Sequence, residues 1–148
     1  MSDYIKASQV FLDNPATTVD ETLEFLAKQA VAQGLSDDEA AVLDAFKARE
    51  AMGTTGMQGG FAIPHCKSAA VKDAAIYVVK FANPIDWKSL DGKPIKMAVA
   101  LFAPDGDVHL TLLSTVAGML TDESNRAKLL EAADADAIAD VINAAMGA

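Results

Sequence analysis

The chain of 148 residues is 51% hydrophobic, enough to bury about two thirds of its unfolded surface in one domain spanning residues 1–148 without a metal or disulfide to hold it. Lys and Arg total 12 against 21 Asp and Glu, a net charge of -9 that argues against nucleic acid as a partner and serves either solubility alone or attraction of a basic protein. The single Cys66 excludes an intramolecular disulfide, Met1 to Lys6 lacks a signal peptide's basic and apolar segments, and no apolar run reaches a membrane span, so the sequence predicts a cytoplasmic protein.

Thr18-Val19-Asp20-Glu21 reads as a capping box. It opens a helix whose apolar positions Leu23, Leu26, Ala27 and Ala30 recur at helical spacing and which ends near Gly34. A second helix follows at once. Ser36 precedes Asp37, Asp38 and Glu39, acidic residues suited to the positive end of the macrodipole, and Val42, Leu43 and Phe46 form the inner stripe. Arg49 falls on or beside that stripe, an odd place for an unpaired charge. It either snorkels or pairs with Glu50, or it projects with Thr54, Thr55 and Gly56 toward His65, where its planar fork would grip phosphate oxygens.

The stretch Gly59-Gly60-Phe61-Ala62-Ile63-Pro64-His65 sets one of only two histidines at the end of a short apolar run, directly after a proline. Proline fixes its own φ and pushes Ile63 into an extended conformation, so stiff backbone aims the imidazole. Ala75 to Val79 and Met97 to Ala103 are apolar on both faces and read as interior strands, with turns at Asn83-Pro84 and Asp91-Gly92-Lys93-Pro94 between them. The second strand gives way to a helix at His109, whose stripe is Leu113, Val116, Ala117 and Leu120; Leu129, Leu130, Ile138, Val141 and Ile142 add helical packing. Strands in the middle with helices at both ends predict an α/β sandwich. His65 and His109, each at a strand end, are placed to meet.

Spacing discards several chemistries. Gly92-Lys93-Pro94 breaks a phosphate-binding P-loop, and the Gly53 to Gly60 segment holds no lysine. A zinc site would need His65, Cys66 and His109, yet neighbours on extended backbone point to opposite sides, so no metal is expected. Cys66 suits a small buried residue better than a nucleophile. A hydrolase built on His65 or Cys66 lacks any Asp or Glu in the context of a triad partner. Met57, Phe61 and Ile63 suggest an apolar docking patch around His65, rimmed by acidic residues.

Arg49-Glu50, Thr55-Gly56, Gly60 to His65, Leu90-Asp91-Gly92-Lys93-Pro94, Ala103-Pro104 and His109-Leu110 together resemble the fructose/mannitol type of enzyme IIA. These are phosphocarrier domains of the bacterial sugar phosphotransferase system; the nitrogen-regulatory branch shares the Ile-Pro-His element. The resemblance covers nearly the whole chain and implies a mixed β-sheet sandwiched between helices on both faces. It also implies that His65 takes a phosphoryl group from the phosphocarrier HPr and passes it to a cysteine of a IIB domain during sugar uptake, the sugar itself not being bound. By the same resemblance His109 hydrogen-bonds the site and Arg49 contacts phosphate; Thr54, Thr55 and Gly56 are expected beside Arg49 as further phosphate donors, and the transfer requires no cofactor. Cys66 stands where many relatives have glycine or another small residue. A regulatory module that binds proteins according to its phosphorylation state is the alternative function.

Overall fold

In the computed structural model, residues 4–147 are described; Met1–Asp3, part of the segment read for a leader, and Ala148 lie outside the described residues. After a short 3-10 turn at Ala7–Gln9 the elements are β1 (Val10–Asn14), α1 (Val19–Ala32), α2 (Glu39–Ala51), β2 (Phe61–Ala62), β3 (His65–Lys67), β4 (Ala75–Ile85), β5 (Ile95–Ala103), α3 (Gly106–Thr121), α4 (Glu123–Glu131) and α5 (Ala135–Ala145). No described helix is long and apolar enough to cross a membrane.

The five strands form one mixed sheet. β1 runs parallel to β4, β4 antiparallel to β5, and β2 and β3 both run parallel to β5 at successive stretches of its outer edge. Period-two alternation then sorts the side chains into two cores. Tyr77, Val79, Ala98, Ala100, Phe102, Ala62 and Cys66 pack with Leu23, Leu26, Val42 and Phe46 of α1 and α2. Ile76, Val78, Met97, Val99, Leu101, Phe61 and Ile63 pack with Val116, Leu120, Leu129, Ile138 and Ile142 of α3, α4 and α5. The expected sheet between two helical layers is therefore the fold. Helices from the N-terminal half cover one face, and helices from the C-terminal half cover the other.

Local signals place the helices with two revisions. Thr18 caps α1 by accepting the Glu21 N–H at 3.1 Å, but Glu21 reaches back to Thr17 and not to Thr18. Asp38, rather than Ser36, caps α2. Ser36 cannot serve, because the chain there is still closing α1: the Leu35 N–H bonds to the Ala30 carbonyl at 2.8 Å, and the Ser36 backbone bridges to Val71. Asn83-Pro84, expected as a turn, lies inside β4, where the pairing with β5 shifts register between Lys80 and Ile85. β1 pairs no further than Phe81, so the missing N–H of Pro84 costs no ladder bond. β1 was not anticipated by the periodicity.

Candidate functional site

The outer edge of β5 is covered by a broken strand. β2 pairs Phe61 and Ala62 with Met97 and Ala98, β3 pairs His65 to Lys67 with Leu101 to Ala103, and Ile63-Pro64 lies at the break. Proline is tolerated there because an edge position does not need its N–H, while its carbonyl still accepts the Leu101 N–H at 2.9 Å. Gly59 and Gly60 take positive φ, 72° and 87°, in the turn that delivers the chain to this edge. His65 thus starts β3 with backbone bonds on both sides of it, on the face shared with Ile63 and α3.

α3 begins where β5 ends. Asp105 caps it by accepting the Val108 N–H at 3.0 Å, and the His109 N–H bonds to the Asp105 carbonyl at 3.1 Å, fixing the histidine at the close of the first turn. The two rings meet edge to face, centroids 5.0 Å apart at 69°. His65 is 7% exposed. Among the described residues, the Nδ1 atoms of both histidines are the buried side-chain polar atoms that lack a hydrogen-bond partner. Arg49, in the last turn of α2, is half-buried and donates from Nη1 to the Gly53 carbonyl at 2.8 Å.

The electrostatics keep both rings neutral. Burial pushes the His65 pKa down to about 4, and the Arg49 and His109 charges push the same way. His109 is also lowered, first by burial, then by Lys67 and Arg49. Lys67 follows His65 by two residues on β3, the strand spacing that puts it on the histidine's side. An uncharged imidazole under the influence of Arg49 and Lys67 is a nucleophile in surroundings suited to anionic groups. Cys66 points to the opposite core, its thiol donating to the Val42 carbonyl at 3.7 Å, and burial pushes its pKa up to about 12. It has no nucleophilic character.

Other expectations change. Arg49 does not pair with Glu50, because that carboxylate accepts the Thr55 N–H at 3.2 Å and the Thr55 hydroxyl. Thr55, 2% exposed, has its hydroxyl committed to Glu50, and Thr54 donates its hydroxyl to the Trp87 carbonyl at 2.8 Å. The Gly56 N–H bonds to Thr54 Oγ1 at 3.0 Å. Thr54 and Thr55 thus direct their hydroxyl hydrogens to Trp87 and Glu50, and Gly56 its N–H to Thr54. A Cβ on Gly56 would stand 2.9 Å from the Ser89 Cα, which explains the glycine by close approach. Phe61 and Ile63 are core residues at 0% and 2% exposure, so of the expected patch only the half-buried Met57 reaches the surface, where Phe61 and Ile63 floor a groove that it lines with Leu90. The large exposed apolar side chains flanking the site are Met52, three residues after Arg49, and Leu110, next to His109, at 84% and 63% exposure.

The sequence matches the family described as the phosphoenolpyruvate-dependent sugar phosphotransferase system, EIIA 2, over residues 3–145. It is 37% identical to a fructose-specific EIIA component of Haloferax volcanii, covering 90% of this chain and 88% of that protein. It is 35% identical to a nitrogen regulatory protein of Bradyrhizobium diazoefficiens, covering 82% and 80%. Among solved structures, the nitrogen regulatory protein IIA of Neisseria meningitidis superposes with a TM-score of 0.85 at 27% identity over 94% of this chain and 96% of that one. The Escherichia coli mannitol enzyme IIA, solved in complex with phosphorylated enzyme IIB, shares the fold at a TM-score of 0.79 and 18% identity, over 93% and 96%.

Proposed function

The chain belongs to the EIIA 2 family of the phosphoenolpyruvate-dependent sugar phosphotransferase system, and we propose that His65 is its phosphoryl-carrying histidine, charged by phospho-HPr and discharged to a cysteine of a fructose-type IIB domain. Domains of this family are phosphotransferases that carry a phosphohistidine. The chain has two histidines, and the observation that carries the assignment is the edge-to-face meeting of their rings from β3 and α3. Support for His65 as the acceptor comes from its rigid mounting in the sheet edge and from Arg49, the foremost charge acting on it.

His65 Nδ1 is buried, so the incoming group bonds to Nε2, whose lone pair attacks phosphorus while the donor's P–N bond breaks in line. The product is again a phosphoramidate, of transfer potential close to the donor's, which suits a reversible relay. Little covalent work falls to the protein, and catalysis consists of alignment and of positive charge around the equatorial oxygens. Arg49 and Lys67 supply that charge, and neutral His109 offers a hydrogen bond to the His65 ring or its phosphate. Thr54, Thr55 and Gly56 act by holding the loop. No step requires a metal, and the sugar meets only the membrane partner.

The preference for the fructose branch rests on the Haloferax relative, nearly all of whose length this chain spans. A second role, phosphorylation-dependent protein binding, is favoured by the likeness to nitrogen regulatory proteins. Transfer separates the two. The phosphorylated chain, mixed with a fructose IIB domain, should lose its label to the IIB cysteine within one turnover and should restore sugar uptake; label retained in the presence of IIB would contradict the transport role.

A further inference from the structure

Glu50 lies beside the phosphate-contacting Arg49 in the final turn of α2, yet its carboxylate turns away from the guanidinium and into the loop below the site. It accepts both the N–H and the hydroxyl of Thr55, and Thr55 Oγ1 in turn accepts the Nε1–H of Trp87 at 3.2 Å. The Thr55 carbonyl accepts the Ile63 N–H at 3.0 Å, two residues before His65. The same loop receives Arg49 Nη1 at the Gly53 carbonyl. Thr55 and Trp87 are each 2% exposed, so the bond between them forms out of reach of competing water, while the bonds to Glu50 are partly buried.

We propose that Glu50 is a positioning residue for phosphoryl transfer, acting through Thr55 on both arms of the site. One arm is mechanical: Glu50 fixes Thr55, Thr55 fixes Ile63, and Ile63-Pro64 aims His65. The other is electrostatic. With Glu50 bound to Thr55 and Arg49 bound to the Gly53 carbonyl, the two side chains have separate partners and the guanidinium charge is left to the phosphoryl oxygens. Misplacement of a reacting group by ~1 Å costs on the order of 10²-fold, so a residue that never touches substrate still governs the rate. This inference rests on His65 being the acceptor.

Trp87 is the sole tryptophan, so its fluorescence reports on the Thr55 bond without any added probe. The test is single-turnover transfer from phospho-HPr, with the emission spectrum recorded for each variant. Glu50→Ala and Thr55→Val are each expected to lower the limiting rate on the order of 10- to 100-fold while the half-saturating HPr concentration stays within about twofold. Glu50→Gln, whose amide oxygen still accepts, should recover to within about fivefold, because an accepted bond and not the charge holds Thr55. The double variant should be no slower than the slower single, since residues acting in one chain are not additive. Trp87 emission should shift in Glu50→Ala and Thr55→Val and return in Glu50→Gln. If wild type is labelled and Glu50→Ala keeps the wild-type limiting rate, the positioning role is overturned alone. If wild type takes no phosphate at His65, the proposed function falls and this role with it. Should Glu50→Ala fail to fold, Thr55→Ser, which keeps the hydroxyl, is compared with Thr55→Val; equal limiting rates for the two overturn the proposal.

Discussion

His65 combines two properties that a solvent-exposed histidine lacks: it is rigidly aimed and it stays uncharged through the physiological range. Its ring resonances should titrate near pH 4 by NMR, reflecting burial first and then Arg49 and His109; a midpoint near 6.5 would mean that neither burial nor the cations act on it. The depressed value also links to stability. The unfolded chain takes up the histidine proton near 6.5 and the folded chain only near 4, so the unfolded state binds more protons in that window and stability falls as pH drops through it. Below about 4 this contribution changes no further. Urea denaturation at pH 7 and pH 4.5 should show the loss in wild type and a smaller one in His65→Gln. In the proposed relay neutral His109 positions the His65 ring or its phosphate by a hydrogen bond, so His109→Ala should fold, accept phosphate on the order of 10²-fold more slowly and pass it on poorly. An unaltered single-turnover rate would place His109 outside the site.

At the level of elements, what the sequence made legible was whatever local chemistry alone decides. The Thr18 cap, the α2 stripe at Val42 and Phe46, the two doubly buried strands and the meeting of two histidines at strand ends all follow from spacing. What stayed hidden depends on partners distant in sequence. β1 is five residues long and owes its pairing to β4, nearly seventy positions on; Asn83-Pro84 is a turn signal overridden because its neighbour strand stops at Phe81; and the donors of Thr54 and Thr55 are claimed by Trp87 and Glu50, which no spacing rule connects. The Gly56 contact is testable in the same terms. Gly56→Ala forces a Cβ against Ser89 backbone and should cost about 1–3 kcal/mol by overpacking. Equal urea midpoints for this variant and wild type would show that the β4–β5 connection yields freely.

Across the whole molecule, a net charge of -9 conceals a cationic centre. Arg49 and Lys67 act on the two histidines, while the neighbouring carboxylates are engaged locally, Glu50 by Thr55 and Asp105 by the first turn of α3. The local charge suits a phosphoryl group, and the overall charge suits attraction of a basic carrier protein. Steering of that kind is screened over a Debye length of ~10 Å at 0.1 M salt, so the second-order rate of transfer from HPr should fall as salt rises. A rate independent of salt would remove electrostatics from the encounter. Met52 and Leu110, exposed and close in sequence to Arg49 and His109, are the apolar residues we propose for docking. Leu110→Glu should raise the half-saturating HPr concentration more than it lowers the limiting rate, as a residue serving docking and not chemistry does.

The most direct measurement is phosphate incorporation from phospho-HPr into wild type and His65→Ala. Wild type should take up one acid-labile, base-stable phosphate per chain, and His65→Ala should take up none despite retaining His109 and Arg49. Labelling of His65→Ala to the wild-type extent would contradict the assignment of His65 as the carrier.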